Sequence, residues 1–321
     1  MSTIIDIPLE NIPKVVEKKA ELGVQRGPGR PRKTPLKKPK PRNGVVSEPS
    51  KLDNLIEFVY DKPIVFKKLW NFYKAMAVEK LQIIFRPTEI IICGEDHHKK
   101  SKMRTKINTK NTNHYYCGKS FDIGIMCSDL EKIMMTIDRS YGTISFLSKH
   151  GYSQKNMKIN FTTDIEIEKN HTVELIGDYT KIDYEEMFLD EDYPIKFELP
   201  GKYFKKMITD IKSFTEQITI KQDSPTDPLV FDYITKDKKI KSKDIVRNNK
   251  LVKLVSNLKG DDNFLTSFKI DYVKPISSTF LSDNILIYAH ESKPLMFKIN
   301  IDNSTVEIKI ITEIIDERNK N

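Results

Sequence analysis

The chain has 321 residues, a formal net charge of +9 and three cysteines, enough length for one large or two ordinary domains with buried cores. No run of about 18 apolar residues occurs, and Met1 to Glu21 mixes charges throughout, so neither a membrane span nor a secretory signal is expected. Cys93, Cys117 and Cys127 are odd in number and lack a CxxC spacing, which argues against a disulfide framework or zinc knuckle and for a reducing intracellular setting.

The charge is unevenly placed. Residues 1–50 carry 11 Lys/Arg against 5 Asp/Glu, which leaves the remaining body a surplus of only 3. This opening segment holds few large apolar groups and many Pro, Gly and Lys, so it buries too little surface to offset the entropy of ordering and is read as a disordered basic tail. Within it, Gly29-Arg30-Pro31 flanked by Arg26, Arg32 and Lys33 has the pattern of an AT-hook, an extended core that follows the narrow minor groove of A·T tracts. The neighbouring "KKPKPR" reads as well as a nuclear-import-like run. The tail is thus a DNA contact, a targeting signal or a solvated linker.

From Leu55 the texture changes. In "PIVFKKLWNFYKAM", winding at 100° per residue puts Val65, Leu69, Phe72 and Met76 on one face and Lys67, Asn71 and Lys74 on the other. Short strand-like runs follow, "LQIIF" and "EIIIC". In "SDLEKIMMTIDRS" the same winding sets Leu130, Met134 and Ile137 opposite Lys132, Thr136 and Arg139, with Ser128 as N-cap and Glu131 three residues later. "GTISFL" and "MKINF" read as strands. The acidic "GDYTKIDYEEMFLDEDYP" lacks a period and reads as a connector between two sheet-rich halves.

Beyond it, "PGKYFKKMITDIKSF" turns Phe204, Met207, Ile211 and Phe214 inward and Lys202, Lys205, Thr209 and Lys212 outward. "DYVKPISSTF" is a fourth helix candidate, capped by Asp271, with Pro275 tolerable only near its first turn and Lys274 facing out. Strand-like runs "FLTSFKI", "NILIYA", "PLMFKI" and "TVEIKIITEI" complete an α+β body rich in antiparallel sheet.

Two features lift the lysine stripes above an ordinary solvated face. The outward faces of the first three helices are nearly free of Asp and Glu. In addition, Phe66-Lys67-Lys68 with Lys74 recurs as Phe204-Lys205-Lys206 with Lys212, each member displaced by 138 residues and each copy leading into a strand, which suggests two similar domains. The six histidines are scattered and no HExxH, GxSxG or P-loop lysine pattern appears, so catalysis is the weaker class. Basic helix faces backed by sheets suit a charge-dense polymer held without reading its bases.

The body resembles DNA sliding clamps of the proliferating cell nuclear antigen type, particularly the divergent clamp-like proteins of large nucleocytoplasmic DNA viruses such as African swine fever virus. "FKKLWNFYK" is similar to the family's first helix, "NHYYCGKSFDIGIMCSDLEKIM" to its strand-then-helix segment, and "TSFKIDYVKPISSTFLSDNILIYAHESKPLMFKI" to its closing strand, helix and strands. The viral type also begins with an Arg-Gly-Pro-Gly-Arg-Pro segment.

The resemblance implies two clamp domains, 51–177 and 195–321, joined by a connector at 178–194, in a homotrimeric ring with helices lining the hole and antiparallel sheets outside. It implies a DNA polymerase processivity factor that encircles double-stranded DNA, tethers polymerase and other replication or repair proteins, and needs no cofactor, metal or membrane. The setting implied is a viral replication factory in the host cytoplasm, or the host nucleus. Lys67, Lys68, Lys74, Lys132 and Lys206 match family positions lining the hole, and the helical wheels add Lys202, Lys205, Lys212, Arg139 and Lys274. A partner-motif groove maps to Ile182, Tyr184 and Met187 on the connector, His98 after "EIIIC", and Phe280 and Leu281 after the last helix. The alternative is a DNA-binding accessory protein that forms no ring.

Overall fold

The computed structural model describes residues 54–149, 155–163, 165–179, 181, 193–235, 237, 239–259, 262–278, 282–302, 306–312 and 314–315. Residues 50–321 hold together as one compact unit. The tail residues Arg26, Gly29, Arg30, Pro31, Arg32 and Lys33 lie outside the described residues.

The chain passes twice through one order of elements. The first pass runs β1 (Asn54–Tyr60), α1 (Pro63–Ala75), β2 (Val78–Arg86), β3 (Glu89–Asp96), β4 (Ser101–Asn108), β5 (His114–Cys117), β6 (Phe121–Met126), α2 (Cys127–Met134), β7 (Tyr141–Lys149), β8 (Asn156–Thr163) and β9 (Glu168–Glu174). The second runs β10 (Ile195–Pro200), α3 (Gly201–Lys212), β11 (Gln217–Gln222), β12 (Leu229–Ile234), β13 (Lys241–Val246), β14 (Lys253–Ser256), β15 (Phe264–Lys269), α4 (Ile270–Ser278), β16 (Asn284–Ala289), β17 (Leu295–Ile301) and β18 (Val306–Thr312). The fold is α+β, and all its strand pairs named here are antiparallel.

Pairing repeats along with order. A five-stranded sheet β5-β1-β7-β8-β9 is matched by β14-β10-β16-β17-β18, and β6-β2-β3-β4 is matched by β15-β11-β12-β13. One join is extra: β18 pairs with β4, with Glu307 opposite Lys106 and Ile310 opposite Met103, which fuses a five-strand and a four-strand unit into one nine-stranded sheet. The corresponding strands β9 and β13 end their own sheets, so among the described residues each presents an open edge.

The helices lie on the core side of these sheets. Val65, Leu69, Phe72 and Met76 of the first wheel are buried, together with Phe66, Trp70 and Tyr73, and Pro63 at the first helical position needs no hydrogen-bond partner for its missing N–H. Contacts run α2 to α1, α1 to α4 and α4 to α3, which sets the four helices in one row. On the opposite face of the nine-stranded sheet, Ile91, Cys93, Tyr193, Tyr288, Met296 and Ile311 form a second, smaller cluster. Strand alternation explains the division, since Ile90 and Ile92 belong to the main core.

Local readings need four corrections. Helix α2 begins at Cys127 after an extended Met126, with no side-chain cap bond, so Ser128 sits inside the helix rather than at its N-cap. It ends at Met134, leaving Ile137 buried beyond it and Arg139 in an exposed turn. Phe214 follows the end of α3 and is 40% exposed, its ring tilted against Tyr233 rather than in the core. Helix α4 starts at Ile270, so Asp271 lies in its first turn and Pro275 falls at the sixth position, deeper than a first-turn proline.

The two passes are also locked on the helix side. Asp302, at φ 55° in the β17–β18 turn, accepts hydrogen bonds from the buried Tyr60 hydroxyl and from Lys62, the latter at 2.5 Å. Burial pushes the Asp302 carboxyl up, but the bonds from Lys62 and Tyr60 outweigh it and hold it below the usual carboxylate range. A depressed carboxyl stabilises the fold above the unfolded pKa of about 3.9, and that contribution is lost as pH falls through the folded value. Asp302→Asn keeps a side chain that tolerates positive φ and is expected to cost about 1 kcal/mol at pH 7. In urea unfolding the gap to the native chain should close as the pH drops well below 4.

Candidate nucleic-acid interface and connector anchor

The exposed side of the helix row carries the candidate cations, and the structure divides them by partner. On α1, Lys67 is half-buried and donates to the carbonyls of Ile137 at 2.6 Å and Met135 at 3.3 Å, closing the end of α2. Lys68, one residue on, is exposed with no partner among the described residues. Lys74 pairs with Glu131, and Lys132 pairs with Asp129 at 3.2 Å. On α3, Lys206 pairs with Asp210 at 2.6 Å. Lys202 and Lys205 are exposed without a carboxylate partner among the described residues.

Helix faces that looked nearly free of acids therefore hold Asp129, Glu131 and Asp210, each on a lysine. Such exposed pairs are worth little to stability, yet they lower the cationic density facing outward. Lys205, Lys212 and Lys274 come together across the α3–α4 groove, a recess of about 390 Å³. Among the described residues, the carboxylate neighbour of Lys212 is Asp271, at 3.9 Å. Arg139 lies apart, in the exposed turn after α2.

Of the groove residues, Ile182, Tyr184, Met187, Phe280 and Leu281 lie outside the described residues. His98 is exposed in the turn between β3 and β4, its ring centroid 3.6 Å from that of His97.

An anchor for the residues that follow β9, unannounced by the sequence, lies close by. The chain leaving β9 bonds back to β6, with the Ile176 N–H donating to the Gly124 carbonyl at 2.9 Å. Asp122 on β6 accepts from Tyr179 at 2.9 Å, Gln82 at 3.0 Å and Lys181 at 3.1 Å. Burial pushes Asp122 up, but these three donors hold it below the ordinary range, while burial and Asp122 together push Tyr179 up to about 12. Lys80 adds a bond to Asp178 at 3.1 Å. Tyr179, Gln82, Cys93 and His97 then line a recess of about 230 Å³ beside the His98 turn. The one signal available in the sequence was the glycine inside "FDIGIM", since an isolated strand glycine marks a close approach.

The surroundings of the three thiols disfavour the thiolate. Burial pushes Cys127 up to about 12 and raises Cys93 and Cys117 as well. Among the described residues no group of three His, Cys, Asp or Glu is placed to hold a metal ion, and no helix is long and apolar enough to cross a membrane.

No protein-family model matches the chain. It is similar to an uncharacterized protein of African swine fever virus, 28% identical over 287 residues that cover 87% of this chain and 94% of that protein. It is more weakly similar to a probable DNA polymerase sliding clamp 1 of Paramecium bursaria Chlorella virus 1, 21% identical over 239 residues, 74% of this chain and 88% of that one.

A Cβ on Gly124 would meet the Tyr179 ring at 2.2 Å and the Ile176 carbonyl oxygen at 2.8 Å. Gly124→Ala is therefore expected to push Ile176 and Tyr179 off β6, at a cost of about 2 kcal/mol. Limited proteolysis should show faster cleavage after Ile176 in the variant than in the native chain.

Proposed function

We propose that this chain is a viral DNA sliding clamp, a non-enzymatic processivity factor that encircles duplex DNA inside infected cells and tethers a polymerase. The observation that carries the reading is the unequal use of the sheet edges. The β18–β4 join is already made once within the chain, and its repeat equivalents β9 and β13 are open. Pairing β9 of one copy with β13 of the next would repeat that join between chains, a head-to-tail contact that closes into a ring when its rotation allows.

The two open edges are complementary. The β9 side carries Glu166, Glu168 and Glu174 against Lys169, a net acidic balance, with Ile165 and Ile167 just before the strand exposed at 76% and 58%. The β13 side carries Lys239, Lys241, Lys243 and Arg247 against Asp237 and Asp244, a net basic balance, with Ile240 exposed at 52%. Strand β4 inside the chain is basic in the same way, with Lys102, Arg104 and Lys106.

Following the family resemblance, we take three copies, which gives six repeats around the hole, with 51–177 and 195–321 as the two domains. Closure would turn the helix row inward, so that Lys68, Lys202, Lys205 and the lysines of the α3–α4 groove face the phosphates. Contacts of this kind are sequence-independent and salt-sensitive, which suits sliding, while the ring supplies retention. A tethered polymerase gains effective concentration at the primer end. Its docking motif is placed in the recess beside His98, where the anchored connector begins. The weak similarity to a viral sliding clamp supports the same reading.

Two measurements test it. Light scattering should give a mass near three times 37.4 kDa, and Lys241→Glu with Lys243→Glu should shift it toward one chain by placing acids against acids; a native chain that stays monomeric would sink the ring and favour the accessory protein. On primed circular DNA, the chain should lengthen polymerase products, and changing Lys68, Lys205 and Lys206 to Ala should shorten them without altering the mass.

A further inference from the structure

The repeat permits a residue-by-residue comparison of the two helix pairs. Lys74 is the twelfth residue of α1 and Lys212 the twelfth of α3; Glu131 is the fifth residue of α2 and Lys274 the fifth of α4. The surroundings also correspond, since Cys127 and Leu130 are buried in α2 as Ile270 and Val273 are in α4. The first pair places a lysine on a glutamate. The second places a lysine against a lysine.

Like charges held together raise the energy of the empty site, because each ammonium works against the other. Contact with Lys274 lowers the Lys212 pKa, as expected for such a pair. Lys205 borders the same recess, and Thr209 and Ser277 line it. Thr209 and Ser277 donate to the carbonyls of Lys205 and Lys274, so their oxygens hold the groove polar while the ammonium groups supply the donors. Asp271, on the flank at 3.9 Å from Lys212, leaves most of this charge uncompensated.

We propose that the α3–α4 groove is a seat for one phosphate group, held by Lys205, Lys212 and Lys274, and that the α1–α2 groove has lost the equivalent seat to its Lys74–Glu131 pair. The inference rests on the clamp reading for its ligand, a phosphate of the DNA backbone, and it makes the interface lopsided: each chain grips through its second half and glides past on its first. A ring of three would hold three such seats instead of six.

The seat is tested first without DNA. Thermal unfolding of the full chain is followed in inorganic phosphate and in chloride at matched ionic strength. Phosphate should raise the midpoint of the native chain and of Lys158→Glu, an equal charge change on an exposed strand residue far from the groove, but not of Lys274→Glu, which recreates the lysine–carboxylate arrangement of the first half. Lys274→Ala provides a second variant that introduces no new pair. An equal response to phosphate in the native chain and both Lys274 variants overturns the proposal.

The second arm is fluorescence anisotropy with a labelled 30-base-pair duplex across salt. Lys274→Glu should weaken binding about tenfold and flatten the log affinity against log salt plot by about 0.9 for each DNA phosphate no longer neutralised. Binding that is unchanged in Lys274→Glu assigns any seat to free phosphate and overturns the DNA assignment, leaving the clamp reading intact. No duplex binding by the native chain defeats the clamp reading instead, whatever phosphate does.

Discussion

Backbone hydrogen bonding at strand edges is the constraint on which this architecture turns. A sheet edge exposes a row of unpaired N–H and C=O groups, and a fold must pair it, cover it or charge it. Within this chain one such pair of edges, β18 and β4, is satisfied internally, with alternate residues from each strand entering the main core. Among the described residues its counterparts β9 and β13 are left open, and their mixed charges sum to opposite signs, with isoleucines beside them. The proposed ring rests on repeating between copies a join that the chain already makes within itself.

The helix row follows from the same constraint. With the sheets joined edge to edge, the helices can cover only one face of each, and their apolar stripes are used up there. Their remaining faces are free to specialise in charge. The first half has compensated much of its charge through Lys67 on the carbonyls ending α2, Lys74 on Glu131 and Lys132 on Asp129. In the second half three lysines gather around one groove. Strong binding at every position would oppose sliding, so an uneven distribution of grip is consistent with a ring that must both hold and move. At the other side of the sheet, the Asp122 network holds Tyr179 and Lys181, beyond β9, against β6.

Much of the fold was legible because period and burial agree. The stripe Val65, Leu69, Phe72 and Met76 and the runs "LQIIF" and "NILIYA" announce their elements by hydrophobic spacing alone. Strands β9 and β13, "EKNHTVE" and "KSKDIV", were hidden by their polarity, and the polarity belongs to their position at sheet edges. Helix ends were misjudged where tertiary packing decides: Ile137 and Phe214 continue a helical spacing past the last helical turn. The candidate cations were legible as a class, but a helical wheel cannot tell the exposed Lys68 from Lys67, whose ammonium is spent on carbonyls 68 and 70 residues away. The lysine pair of the α3–α4 groove was equally invisible, because it arises between two helices that are distant in sequence.

The central claim is topological, and the most direct test measures topology. The full chain is assembled on a nicked circular duplex, washed at moderate salt, and the bound fraction is followed before and after a single cut linearises the circle. A closed ring should persist on the circle and be lost within minutes of the cut, by sliding off the ends. Equal retention on circular and linear DNA would contradict encirclement and leave the basic helix row as an ordinary phosphate-binding surface.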